Sequence, residues 1–339
     1  MENQVLQLAK EILNIDSPSG YCHHVINYVE KYVKALGYQT TKNNKGNLLI
    51  HVPGQSDQTV GVCGHVDTLG LMVQSIQSDG TLRFTNVGGP IIPTLDGEYC
   101  RIITRDQKVY TGTILSTSPA AHVFKDASSK ERSCETMCIR IDEVVKNKED
   151  VVALGIQNGD FIAIETKTEI TSSGFIKSRF LDDKLSVAIM LAILKQFKDE
   201  KIIPKDNVTF IISTFEEVGH GSSHIPSNIS TLLAVDMGCI GNDLACSEYD
   251  VSICAKDSSG PYDYALTSHL VELAKAEKLS FALDIYPYYG SDVSAALRAG
   301  NDIKGALIGP GVHASHGMER SHLQAVENTF KLIVAFLTK

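Results

Sequence analysis

His65-Val66-Asp67, Asp182-Asp183, Glu216-Glu217, Asp236 and the late pair His313 and His316 all stand where β-branched or apolar runs stop. The runs are VGVCGHVD, SRFLDDK, VTFIISTFEEVGHG, TLLAVDMG and ALIGPGVHASHG. In an open α/β sheet, ligands bind at the carboxyl ends of the strands. Imidazole and carboxylate groups gathered there predict a metal site with enough ligands for two divalent ions. Mixed nitrogen and oxygen ligands suit zinc, cobalt and manganese alike.

Two divalent ions about 3.5–4 Å apart are typical of hydrolases that stabilise both the attacking and the leaving oxygen. One ligand must serve both ions, and a carboxylate bridges where an imidazole does not. Asp182 is the candidate, because it opens a helix directly after Arg179-Phe180-Leu181. His65 with Asp236 would complete one ion, and Glu217 with the late histidine the other. Asp67, two residues past His65, would hold the far nitrogen of that imidazole, as carboxylates beside metal ligands commonly do. Glu216 and Glu217 are neighbours at a strand end, where successive side chains point to opposite sides. One would then ligate while the other faces substrate, and a carboxylate near an activated water serves as general base.

Each piece has a plainer reading when taken alone. His-x-Asp is short enough to be incidental, Asp182-Asp183 could cap a helix, and Glu216-Glu217 could be a solvated turn. The combination outweighs these readings. Asp183 keeps its plain role at a helix start, and His220, His224 and His322 keep theirs as loop or helix-surface residues. No GxSxG, P-loop or GxGxxG stands in a strand–turn–helix context.

These residues need elements to hold them. Apolar spacing predicts helices over 2–13 and 22–36, with a turn at Ser17-Pro18-Ser19-Gly20. TKNNKGNLLIHV reads as a hairpin and TVGVCGHVD as a buried strand. Residues 71–165 have a different texture, with short alternating segments separated by Gly, Asp and Pro turns and no long helix. They predict a β-rich insertion between two ligand-bearing segments, placed to cover the site as a lid. After Ser178, strands VTFIIST, TLLAVD, FALDIYP and IKGALIG alternate with helices that begin at Asp182, Tyr264, Asp292 and His322. That alternation predicts a largely parallel sheet covered by helices.

The bulk properties narrow the function. A chain of 339 residues exceeds what one core usually fills, so two domains are expected. Its 31 basic and 40 acidic residues leave a net charge of −9, which argues against nucleic-acid and membrane-surface partners. The N-terminus lacks a basic leader, and no apolar stretch is long enough to span a bilayer. Eight scattered cysteines, with Cys134 and Cys138 the only close pair, read as reduced thiols in a cytoplasmic protein.

With these residues in view, the chain resembles the cytoplasmic dinuclear metallo-aminopeptidases of the glutamyl/deblocking type, whose members build tetrahedral particles. The resemblance covers nearly the whole chain. It rests on SPSG, GHVDTLG, IQNGDFIAIE leading into KSRFLDDK, TFEEVGHGSS, AVDMG, YGSDVSAA and HASHGMERSH, in that order.

The resemblance implies a zinc-peptidase-like α/β core, residues 1–70 plus 166–339, with a mixed central sheet covered by helices. It implies a small β-barrel-like lid or oligomerisation domain at 71–165. His65, Asp182, Glu217 and Asp236 would be ligands of two divalent ions, Glu216 the general base, and Ser291-Asp292 part of the substrate wall. Short peptides would be the substrates, cut at their N-terminal residue. A homo-oligomer would follow, with a dimer as building block and a dodecamer as the full particle.

One position departs from the commonest family pattern, in which His is followed by Ser-Pro and a carboxylate. Aligning His-Ala with His-Ser favours His313 as the last ligand. The His316–Glu319–Arg320–His322 pattern is similar to a subset of relatives and favours His316. We take His316, with His313 as the alternative. Two other activities remain open at this level: an amide hydrolase acting on N-acylated amino acids, and an idle metal-binding scaffold.

Overall fold

Val5, Leu8, Ala9, Ile12 and Leu13 recur at helical spacing and form the buried stripe of α1 (Glu2–Leu13). In α2 (His23–Ala35) the same is done by Val25, Ile26, Val29 and Val33. A hairpin follows, β1 (Gln39–Lys42) and β2 (Leu48–Val52), and then β3 (Thr59–His65). These coordinates are a computed structural model describing residues 2–339; Met1 lies outside the described residues. By internal contacts the chain divides into two units, Met1–Asp67 with Lys167–Lys339, and Thr68–Thr166.

The Thr68–Thr166 unit is a closed barrel. Its strands are β4 (Gly70–Ile76), β5 (Leu82–Val87), β6 (Tyr99–Ile103), β7 (Val109–Ser116), β8 (Met137–Ile141) and β9 (Phe161–Ile164). They close antiparallel in the order β4-β5-β8-β7-β6-β9. Alternate residues such as Leu71, Val73, Leu82, Phe84, Ile102, Ile114, Ile139 and Ile162 are buried. Besides a 3-10 turn at Ile92–Leu95, it has a short α-helix, α3 (Lys148–Ala153), capped by Asn147, whose side chain accepts the Asp150 N–H.

The other unit resumes with β10 (Glu169–Ile170) and β11 (Phe175–Ser178). The helix α4 (Leu181–Asp199) is apolar nearly all round and almost wholly buried, as a helix inside a large core must be. Then come β12 (Asn207–Ser213), β13 (Ile229–Val235), β14 (Gly238–Cys239), β15 (Val251–Asp257) and β16 (Gly260–Pro261). The chain ends with α5 (Tyr264–Ala276), β17 (Phe281–Ile285), α6 (Asp292–Arg298), β18 (Lys304–Val312), β19 (Glu319–His322) and α7 (Leu323–Thr338).

The main sheet runs β1-β2-β12-β3-β13-β18-β15-β16, with β14 beside β18 and β17 beside β15. Its centre, β12-β3-β13-β18, is parallel. The expectation of a largely parallel sheet needs correcting at both flanks. The β1–β2 hairpin joins β12 antiparallel, and β15 runs antiparallel to β18. Periodicity identifies strands and cannot give their direction, so the sheet is mixed, as the family resemblance implies.

Register aligns the ends of the central strands. Ser213 of β12 stands opposite His65, and Ala234 of β13 opposite Cys63, which brings Asp236 level with His65. A glycine permits the next approach: a β-carbon on Gly309 would lie 1.3 Å from the Asp236 carbonyl oxygen. Asp182 arrives differently. It follows β11, which belongs to a separate three-stranded sheet, β10-β11-β19.

Candidate metal centre

His65 is the last residue of β3 and is 1% exposed. Its Nδ1 lies 2.9 Å from the carbonyl oxygen of Asp67. A carbonyl only accepts, so Nδ1 carries a proton, and Nε2 is the nitrogen left to face a metal ion. That Nε2 lies 3.2 Å from Asp182 Oδ1 and 3.7 Å from Glu216 Oε2.

Asp182 faces two ways. Its Oδ1 points at His65, while its Oδ2 accepts from Ser315 Oγ at 3.2 Å and lies 3.7 Å from His316 Nε2. His316 Nε2 is also 3.6 Å from Glu217 Oε2. Two groups result, His65 with Asp182 and Asp236, and Asp182 with Glu217 and His316. Within each, candidate ligand atoms lie within 4.8 Å of one another, and Asp182 belongs to both. His313 is exposed, bridges Arg320 through its backbone and stands outside both groups.

The residues present fit a cation. Glu217 Oε1 is buried with no hydrogen-bond partner among the described residues. Burial, then the Asp182 charge, hold Glu217 well above the usual carboxylate range. Burial and then Asp182 also push Asp236 up to about 7. Carboxylates forced toward their neutral form by burial and like charge are groups that a divalent ion restores to the anionic state.

The M42 glutamyl aminopeptidase family model matches residues 46–332. The chain belongs to the M42 family. A protein of Bacillus subtilis (strain 168) named "Putative aminopeptidase YhfE" is 47% identical over 336 residues, 98% of this chain and 97% of that protein. The glutamyl aminopeptidase of Lactococcus lactis subsp. cremoris (strain MG1363) is 27% identical over 224 residues, 64% of this chain and 61% of that protein. Among solved structures, the Pyrococcus horikoshii TET1 peptidase has a TM-score of 0.86 at 22% identity, covering 99% of each chain. An aminopeptidase from Desulfurococcus kamchatkensis has a TM-score of 0.88 at 21% identity, covering 99% of this chain and 95% of that one. At these identities the structural likeness speaks for the fold. As an M42 peptidase, the chain is a hydrolase acting on peptide bonds, of the aminopeptidase class.

In this M42 site the Asp67 carboxylate does something its sequence position did not announce. Its Oδ1 is 3.5 Å from His65 Nδ1, while the Asp67 carbonyl makes the close contact. Both carboxylate oxygens instead accept backbone amides, Glu216 N at 3.1 Å on Oδ1 and Glu217 N at 3.2 Å on Oδ2. Ser19 Oγ donates to Oδ2 at 2.5 Å, and Ser17 Oγ to the Val66 carbonyl at 2.7 Å. The SPSG turn therefore braces the segment that carries His65 and Asp67.

Glu216 and Glu217 lie in a turn beyond β12, so strand alternation does not separate them. The turn, fixed through its amides by Asp67, aims Glu216 Oε2 at His65 and Glu217 Oε2 at His316. Asp183 accepts the His65 N–H at 3.1 Å on Oδ2. Asp292, expected beside Ser291 in the substrate wall, is buried and accepts Ser213 Oγ at 2.5 Å and Ser222 N at 2.6 Å. Ser291, by contrast, lines the cleft over the site, which has a volume of about 220 Å³.

His220 stacks on Phe215, and His322 caps α7 by accepting the Gln324 N–H. Sequence reasoning passed over Tyr289 and Arg298, which line the same cleft. It named Glu319 only within the pattern that favours His316 and gave it no role, although Glu319 is 2% exposed. The spacing of Glu319 three residues after His316 was the available signal.

Proposed function

We propose that this chain is a dinuclear metal-dependent aminopeptidase that removes N-terminal residues from short peptides. The observation that carries the reading is the pair of His/Asp/Glu groups sharing Asp182. His65, Asp182 and Asp236 would hold one divalent ion, and Asp182, Glu217 and His316 the other. Zinc, cobalt and manganese all suit this donor set. When bound, such ions polarise the scissile carbonyl and lower the pKa of water toward about 7.

The chain's own residues supply the rest. Glu216 belongs to neither group, yet its carboxylate enters the same cleft. Its Oε2 is the base that takes the proton of the attacking water and returns it to the departing amine. Asp67 keeps that carboxylate in place through the Glu216 N–H. The Asp67 carbonyl keeps the proton of His65 on Nδ1. Asp182, Glu217 and Asp236 would offset most of the charge of two divalent ions, and a free α-amine would complete the coordination of one of them, which favours substrates with a free N-terminus.

The Pyrococcus horikoshii TET1 peptidase is described as assembling into a tetrahedron or a large octahedral shell. By that likeness we expect this chain to form a homo-oligomer built from dimers, up to a dodecamer, with the insertion serving assembly. A cytoplasmic location fits its eight free cysteines. No helix among the described residues is long and apolar enough to cross a membrane.

Elemental analysis and chelation of the full-length protein test the core of this reading. Two ions per chain are expected, with activity lost on chelation and restored by added metal. Full activity on aminoacyl anilides with one ion or none would overturn it. Turnover of N-acylated but not free-amine substrates would replace the aminopeptidase with a deacylase. Sedimentation of the intact chain as a monomer would end the assembly reading.

A further inference from the structure

Asp182 and His316 come from different parts of the chain, and both lie next to backbone of unusual conformation. Phe180, just before the α4 start, has φ 67°; Ala314 and His316, in the turn after β18, have φ 59° and 64°. Left-handed conformations in residues other than glycine persist only where surrounding contacts hold them. One side chain spans the two segments. Glu319 Oε2 accepts the Asp182 N–H at 3.1 Å, and Glu319 Oε1 accepts the His316 N–H at 3.0 Å. Glu319 is 2% exposed and opens β19, paired with Ser178 of β11. Its position is thus set by the small sheet and not by the ligands it serves.

We propose that Glu319 is the positioning residue of the second ion's site, holding Asp182 and His316 at bridging distance through their backbone amides. This rests on the reading of those two residues as ligands. Both carboxylate oxygens are acceptors facing N–H donors, and the geometry requires both. Glutamine would turn a donor toward one of the two amides, whichever way it sits. Aspartate keeps the charge but is one methylene shorter and does not reach both. Asp182 serves both ions, so the first keeps His65 and Asp236 undisturbed when Glu319 changes, whereas the second keeps only Glu217.

The test is a Zn²⁺ titration of the chelator-stripped, full-length protein, followed by calorimetry, with Glu319→Gln, Glu319→Asp and His316→Ala. Wild type should show two binding events. Both Glu319 variants should weaken one event by about 10–100-fold, the scale of lost support around a metal ligand, and the other by less. Glu319→Gln added to His316→Ala should weaken binding by less than it does in the wild type, because one of the two ligands it positions is gone and only Asp182 remains. The melting temperature of the metal-free variants is the control for a purely structural role, which would lower it while leaving both binding events unaltered. Two unaltered binding events in either Glu319 variant overturn the proposal while leaving the dinuclear reading intact. Equal weakening of both events, or a lowered metal-free melting temperature with both events preserved, also overturns it. A wild type that binds a single ion overturns the dinuclear reading, and this role with it.

Discussion

Asp67→Asn isolates what the buried Asp67 carboxylate does. The substitution keeps the shape and the main-chain carbonyl, so the 2.9 Å contact to His65 Nδ1 is retained. It converts one acceptor oxygen into an NH2 donor. In wild type Oδ1 serves Glu216 N, and Oδ2 serves Glu217 N and Ser19 Oγ. The Ser19 hydroxyl rotates to accept from the new amide, but a backbone N–H does not adapt. Whichever way the asparagine sits, one glutamate loses its anchor. A hydrogen bond to a charged group contributes about 1.5–3 kcal/mol, which corresponds to about ten- to a hundredfold in the population of the correct turn. We expect kcat/KM on an aminoacyl anilide to fall by about that factor. Metal analysis should show the ion of the His65 group retained. If Asp67→Asn instead emptied the His65 group while the Glu217 group stayed loaded, the carboxylate would be acting on the imidazole, and the assignment to the glutamate turn would fail.

Three other outcomes follow from the same geometry. Glu216→Gln should keep both ions and lose at least about 10²-fold in kcat, whereas Glu217→Gln should weaken one ion and be partly rescued by excess metal; near-normal turnover of Glu216→Gln would remove it as the base. His316→Ala should deplete the ion shared with Glu217, and His313→Ala should leave metal content unchanged, because His313 is exposed and outside both groups; the reverse ranking would move the role to His313. The metal-free protein should lose stability as pH rises. Asp236 is raised in the folded state to about 7, so its stabilising proton is fully present below the unfolded value of about 3.9 and lost as pH rises through about 7. Burial raises Glu216 and Glu217 in the same direction. Thermal melts of chelated protein that rose over that range would contradict the picture, and added divalent ion should remove the decline.

The residues that the structure gathers into the two groups were legible in the sequence, because acids and histidines that end buried apolar runs are costly to bury without a purpose. Helix spacing gave α1 and α2 closely, and the alternating texture marked the barrel strands, since these signals are local. Strand direction was not legible, so the antiparallel joins of β2 to β12 and β15 to β18 came only from the structure. The sequence left His313 and His316 as alternatives, being the same residue type three apart in one loop. Tertiary structure put His316 beside Asp182 and Glu217 because a left-handed turn swings it inward while His313 remains at the backbone bridge to Arg320. The sequence also placed Asp67 beside His65 without revealing which of its groups would meet the imidazole. That depended on the Glu216-Glu217 turn arriving from β12, whose two amides claim both carboxylate oxygens and leave the carbonyl for His65. Residue types and their order determine which chemistry is available to this protein. Which atom faces which is decided by contacts between segments far apart in the chain, and local sequence does not encode those.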